Sequence, residues 1–149
     1  MAEQVGGTKH HFRYVQTPMN ILMPEAFCEP WQEFEDKDGV ERQKIFVAAC
    51  NDLELNVISS QALLQGMCAD IALSRDAVGG VYNLSARHLQ FIRSIPTKCL
   101  KSTLVGMKKN DHVRANLEVI QKPLLTRDEF FAAMGPYRRP EFIDDEMDF

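Results

Sequence analysis

The sequence lacks the features that mark membrane and secreted proteins. Its 149 residues contain no uninterrupted apolar run of the ~18–20 residues that a membrane-spanning helix needs. The first residues, 1–7, have no basic flank followed by an apolar run, so no secretory signal is predicted. Hydrophobic residues make up 45% of the chain, which is enough for a buried core. We therefore expect one compact cytoplasmic domain that makes no membrane contact.

Cysteine and histidine are scarce, and their spacing predicts no metal site. The four cysteines contain no C-x-x-C pair, whereas zinc sites usually present their ligands in closely spaced pairs. We expect reduced, buried thiols that behave as small hydrophobes. His10 and His11 are adjacent on a predicted strand, so they point to opposite faces and cannot bind one ion together. The sequence predicts no metal and no cofactor.

The familiar catalytic motifs are also missing. The chain contains no G-x-S-x-G elbow, P-loop, H-E-x-x-H helix or G-x-G-x-x-G turn. This absence predicts that the protein is not an enzyme. A small enzyme of unfamiliar type remains a third alternative, which a pocket with clustered, perturbed carboxylates would favour.

What the chain does have is an uneven charge distribution. Its net charge is -4, yet residues 84–127 carry 9 basic and only 2 acidic side chains. A local excess of this size can form a positive surface on a protein that is acidic overall. The alternative is an ordinary solvated face that pairs with the acidic ends of the same chain.

The hydrophobic pattern predicts a mostly α fold. Residues 1–23 form an extended N-terminal arm with a possible short strand that ends at Thr17-Pro18. Residues 24–135 form a single helical domain, and residues 136–149 form an acidic C-terminal tail that also carries phenylalanines.

Within the domain, residues 24–35 predict a short helix with Phe27, Trp31 and Phe34 on one face. Residues 40–65 contain no glycine or proline and predict one long helix, or two helices joined near Asn51-Asp52.

The second half of the domain predicts further helices. Ser85 is a predicted N-cap, and residues 98–107 fit a strand or a helix equally well. A helix from Asn110 is expected to bury Val113, Leu117 and Ile120. A capping box at residues 126–129 predicts the last helix.

The most specific signal is the string L-S-A-R-H-L-Q-F-I-R at residues 84–93. Its polar positions are Arg87, His88, Gln90 and Arg93. Arginine bonds guanine edges and glutamine bonds adenine edges in the major groove, so the string has the chemistry of a recognition helix. It resembles the second element of the helix-turn-helix in AraC-type regulators. The segment that ends at Ala72 would be the first element of that motif. Its connection to Ser85 is several residues longer than the tight turn between the two elements.

A second resemblance covers about residues 52–105. The pattern is D-x-x-L from Asp52, Q-x-L-L from Gln61 and L-S-x-x-H-L-x-x-I from Leu84. It resembles FlhD, the flagellar master-regulator subunit, although the arm and the tail have no counterpart there. The resemblance implies an all-α dimer that joins a zinc-bearing FlhC-like partner subunit, binds DNA upstream of promoters and recruits RNA polymerase.

Two functional hypotheses follow. In the first, the protein is a DNA-binding transcriptional regulator or regulator subunit, an activator acting with a partner subunit. The string at residues 84–93 would then read bases, and five further basic side chains would hold the phosphate backbone. These five are Lys98, Lys101, Lys108, Lys109 and Arg114.

In the second hypothesis, the protein is an adaptor or chaperone of a larger assembly without nucleic-acid contact. Regulators of two-fold DNA sites are usually dimers, so we also expect a homo-oligomer.

Overall fold

The computed structural model describes residues 2–35 and 38–135. Within these ranges the chain forms six α-helices and five strands. In chain order they are α1 (Ala2–Gly6), β1 (Tyr14–Pro18), α2 (Glu25–Cys28), β2 (Gln32–Glu35), β3 (Glu41–Lys44), α3 (Phe46–Asp52), β4 (Asn56–Ser60), α4 (Leu84–Arg93), β5 (Leu100–Thr103), α5 (Asn110–Ile120) and α6 (Arg127–Met134). Short 3₁₀ turns lie at Gly7–Lys9, Leu64–Asp70 and Asp76–Val78.

The fold is α/β, and the prediction of a mostly α protein is wrong. Strands β1, β4 and β5 form a parallel sheet with β4 in the centre, and β2 and β3 form a separate antiparallel hairpin. The sheet pairs Tyr14 with Asn56 at one end of β1 and Pro18 with Ser60 at the other. The all-α fold that the FlhD resemblance implies is therefore not the fold of this chain.

The error arises in residues 40–65, where the predicted long helix is a strand, a helix and a strand. Helix α3 ends at Asp52, and Glu54 then turns the chain with a φ of 54°. Glycine usually occupies that left-handed conformation, so a glutamate there gives no turn signal in the sequence. The segment Asn56–Ser60 follows at once as the central strand. Only Val57 and Ser59 of this strand are fully buried, and its sequence, Asn-Val-Ile-Ser-Ser, has no polar–apolar alternation to reveal it.

Parallel strands require long crossover connections, and these connections carry the helices. The chain passes from β1 to β4 through α2, the hairpin and α3, and from β4 to β5 through two 3₁₀ turns and α4. The centre of the core is aromatic. Phe91 of α4 stacks on Phe130 of α6 with ring centroids 4.7 Å apart, and Phe27 of α2 meets both rings edge-on.

The first half of the chain departs from its predicted organisation in two further ways. The short strand expected in the N-terminal arm exists, but as β1 it is an edge strand of the main sheet. Only the start of the helix predicted in residues 24–35 forms, as α2 (Glu25–Cys28), so Phe27, Trp31 and Phe34 do not share a helical face. Only Phe27 lies in the core, whereas Trp31 is exposed and Phe34 lies on β2, where Lys44 sits 4.4 Å from its ring centroid.

The second half keeps most of its predicted helices. Asn83 rather than Ser85 caps α4, its side chain accepting from the Ala86 amide at 3.0 Å. The capping box of Thr126 and Glu129 is present at α6. The undecided segment 98–107 contains strand β5. The predicted acidic tail, residues 136–149, lies outside the described residues. No helix within the described ranges is long and apolar enough to cross a membrane.

Candidate functional site

Helix α4, the predicted recognition helix, lies inside the molecule. His88 is 1% exposed and Gln90 is 0% exposed, and Phe91 and Ile92 beside them belong to the core. Because α4 packs against β5, α5 and the 3₁₀ turns, its polar positions face the protein's own backbone instead of solvent.

Arg87 fixes the loop that precedes α4. Its guanidinium donates three hydrogen bonds to backbone carbonyls of residues 73–82, and two of these, to Val81 and Leu73, are 2.8 Å long. The side chain is half-buried and uses its planar array of donors on main-chain oxygens. Its role in this fold is to hold that loop on the start of α4.

Arg93 and Gln90 fix the chain that follows α5. Arg93 donates to the Val119 and Lys122 carbonyls at the carboxyl end of α5, and also to the Gln90 side chain. The Gln90 amide donates to the Pro123 carbonyl at 2.7 Å. A cation suits the carboxyl end of a helix, where unpaired carbonyls concentrate negative charge.

The four side chains assigned to base reading therefore do not form an exposed row. They are Arg87, His88, Gln90 and Arg93. Each bonds to the protein's own main chain, and contact with base edges would require α4 to leave the core. Sequence patterning missed this because an Arg or Gln that bonds carbonyls inside a fold is the same residue type as one that bonds bases.

The five side chains assigned to phosphate have a different environment. Lys98, Lys101, Lys108, Lys109 and Arg114 are all exposed. They lie from the start of edge strand β5 to the second turn of α5, and we call them the basic surface. Within residues 2–35 and 38–135, none of them forms an ion pair; the pairs present are Lys44–Asp52 and Arg75–Asp76. Lys101 donates only to the Lys98 carbonyl, at 2.8 Å.

Beside the basic surface, a cleft of about 400 Å³ opens at the carboxyl ends of β4 and β5. It is lined by residues 61–66 on one side and 104–106 on the other. Open parallel sheets generally place ligand sites at the carboxyl ends of their strands. The cleft was not predicted, because the hydrophobic pattern favours a helix over residues 40–65.

The loop that forms one wall of the cleft, residues 61–66, has an unusual backbone. Gln61, Leu64 and Gln65 have φ values of 53°, 43° and 56°. Such conformations cost non-glycine residues ~1–3 kcal/mol each and are concentrated at functional sites. The buried Asn20 side chain helps to hold the loop, since its amide donates to the Gln61 carbonyl at 3.1 Å. This wall was not predictable, because glutamine is a good helix former and its residue type does not indicate a left-handed backbone.

The cysteine thiols and the buried His88 lie outside the cleft and are buried. All four cysteines are free and buried, as the sequence predicted. Burial, with the nearby Cys99 thiol, raises the pKa of Cys50 to about 12, so it does not supply a thiolate at neutral pH. Burial also lowers the pKa of His88, whose Nε2 lies 3.1 Å from the Ile71 carbonyl oxygen.

The described residues form no metal-binding cluster, and the cleft carries no titratable group. No three His, Cys, Asp or Glu side chains in that part of the chain cluster closely enough to hold a metal ion. The cleft is lined by amide, aliphatic and glycine residues and has no acid, base or thiol in its described wall. The arrangement can bind a molecule, but its walls carry no group suited to acid–base or nucleophilic chemistry.

Comparison with known proteins adds no family. No protein-family model matches the chain, and a search of curated proteins found no significant similarity.

Proposed function

We propose that this protein binds DNA through the basic surface defined above. The observation that carries the proposal is that five cationic side chains are exposed and free of ion pairs with the described residues. Over residues 98–114, Asp111 is the only acidic residue, so this segment itself adds little negative charge beside its cations. Exposed cations of this kind attract the phosphate backbone and release its counterions.

The manner of binding follows from the burial of α4. Contacts from lysines to phosphates position a protein on DNA but carry no sequence information. With Gln90 and Arg93 bonded inside the fold, base reading does not come from this helix. As a regulator subunit, the protein would supply electrostatic affinity, and a partner subunit would supply the sequence preference.

The test is a fluorescence-polarisation titration with a labelled DNA duplex at several salt concentrations. The variant replaces Lys101, Lys108 and Lys109 with glutamine. For three lost phosphate contacts, we expect the slope of log K against log salt to become shallower by about 2–3. At low salt, we expect duplex affinity to fall by at least about tenfold.

The matched control is Lys9→Gln, which removes an exposed lysine outside the basic surface. It should leave both the affinity and the salt slope close to those of the parent protein. Binding that is insensitive to salt, or equal in the triple variant and the parent, contradicts the proposal.

The second candidate is the protein-binding adaptor, and α5 provides the observation that favours it. Leu117 and Ile120 were predicted to lie inward, but they are 51% and 67% exposed. They stand three residues apart on one helix and therefore share a face. Neighbouring exposed apolar side chains of this kind are typical of protein interfaces. An adaptor would bind its partner here and show no salt-dependent affinity for duplex DNA.

A further inference from the structure

The cleft beside the basic surface has the chemistry of a site for an uncharged, planar, polar ring. Its described wall contains two glutamines, Gln61 and Gln65, whose amides each donate and accept hydrogen bonds. Its aliphatic part includes Leu63, Leu104 and Val105. A ligand that bears a charge would meet no counter-charge within the cleft itself.

The position of the cleft close to two lysines also limits which ligands fit it. Gly106 ends its lining, and Lys108 and Lys109 follow two and three residues later. A chain segment of that length spans at most ~7–11 Å. An anionic group held by either lysine therefore lies within reach of the cleft, and a ring joined to that group can enter it.

A nucleotide within a DNA strand combines an anionic group with an uncharged, planar ring. Its phosphate suits the lysines, and its base offers hydrogen-bonding edges to amides and flat faces to aliphatic side chains. A base inside a duplex is stacked and paired, so it cannot enter a concave site until it leaves the helix. Unpaired bases need no such step.

We propose that this cleft captures one unpaired nucleobase of a DNA strand held on the basic surface. The inference rests on the proposed DNA binding and adds a preference for single-stranded or gapped DNA. The glutamine amides engage the edge of the base, Leu63 and Leu104 contact its faces, and Lys108 or Lys109 holds the adjoining phosphate.

The test compares two labelled single strands of equal length and charge, one of mixed sequence and one made of abasic nucleotides. Base burial is worth roughly a tenfold change in affinity or more, so we expect the mixed strand to bind at least about ten times more tightly. Equal affinity for the two strands overturns the inference.

The deciding variant is Gly106→Leu, which narrows the cleft from its edge. A Cβ at Gly106 has no atom within 4 Å, so the substitution brings no clash at that carbon. We expect it to abolish the preference for the base-bearing strand while duplex affinity and salt slope stay unchanged. Gly135→Leu is the matched control, because a Cβ there also lies in open space. A retained preference in Gly106→Leu overturns the inference.

A second variant guards against a local folding effect at Gly106. Gln65→Asn shortens the amide side chain but keeps a residue that tolerates the left-handed backbone of this loop. We expect it to reduce the preference several-fold; an unchanged preference in this variant as well counts against base capture.

Two further measurements distinguish failure of the proposed DNA binding from failure of the proposed base site. If duplex DNA also fails to bind, the proposed function itself is wrong; if the duplex binds with its salt dependence but the two single strands bind equally, only the base site is wrong. Adenosine monophosphate is added as a competitor to identify the source of the base. Weak competition at millimolar concentration supports capture from a strand, whereas tighter binding than the oligonucleotide overturns it in favour of a free nucleotide.

Discussion

Helices α4 and α5 lie against each other but differ in how much of their surface is buried. Helix α4 carries the arginines and polar residues that a DNA-reading helix would carry, yet most of it is buried. Helix α5 has an amphipathic pattern that predicts an inward apolar face, yet Val119 is its only fully buried residue. Residue type therefore indicates the available chemistry, whereas the neighbours decide whether that chemistry is used inside the fold or at its surface.

Truncation of one apolar side chain in each helix should have very different effects on the free energy of unfolding. Phe91→Ala removes a fully buried ring that contacts Phe27 and Phe130. We expect the free energy of unfolding to fall by about 3–5 kcal/mol, since large-to-small substitutions leave a cavity. Leu117→Ala in α5 should cost under ~1 kcal/mol because that side chain is half in solvent. Urea denaturation measures both; similar losses in the two variants would contradict the assigned burial.

The same comparison applies to one arginine in each helix. Arg93→Ala removes the donor shared by the Val119 and Lys122 carbonyls. We expect a loss of about 1.5–3 kcal/mol of unfolding free energy, the range for hydrogen bonds to charged groups. Arg114→Ala should change stability by less than ~0.5 kcal/mol and instead weaken DNA binding. If Arg93→Ala were fully stable and lost DNA binding alone, α4 would be a contact helix after all.

The buried His88 of α4 should make the stability of the folded protein depend on pH. Burial lowers the pKa of His88 below its ordinary value of 6.5 in the folded state. The unfolded chain then takes up this proton first as pH falls, so the stabilisation is present above ~6.5 and is lost as pH falls toward the folded pKa.

Thermal melts from pH 8 to pH 5.5 measure this effect. We expect the melting temperature of the parent to fall with pH more than that of His88→Gln, which does not titrate. Identical pH profiles for the parent and His88→Gln would refute the assignment.

Only a small effect on stability is expected for the exposed apolar pair of α5. Replacing Leu117 and Ile120 together with glutamine should change the unfolding free energy by no more than ~0.5–1 kcal/mol. If this face holds a second copy of the chain, light scattering after size exclusion should show a dimer in the parent and a monomer in the variant. The same mass for both proteins would mean that this pair does not drive self-association.

Much of the fold's local detail was predictable, but its topology was not. The capping box at Thr126 marks a real helix start, because this signal acts within a few residues. The central strand β4 was missed, since a left-handed Glu54 replaces the usual glycine turn and the strand's residue types do not alternate between polar and apolar. Seeing a parallel sheet requires knowledge of contacts between residues far apart in sequence.

In the candidate sites too, some features were predictable from residue type and others were not. The exposure of Lys108 and Lys109 was predictable, because lysine is rarely buried. The inward direction of Arg93 was not, since it depends on where α5 ends in space. The cleft was not predictable either, because Gln61 and Gln65 line it only through a backbone conformation that their residue type disfavours.

The order of strands in the main sheet also bears on how the chain is made. Strand β1 leaves the ribosome first, but its only sheet neighbour, β4, begins about forty residues later, and β5 follows after a similar interval. The nascent chain must therefore carry an unpaired strand through much of its synthesis, and closure of such distant pairs is intrinsically slow. We expect the completed protein to refold slowly for its size, and truncated chains that end before Leu100 to be prone to aggregation.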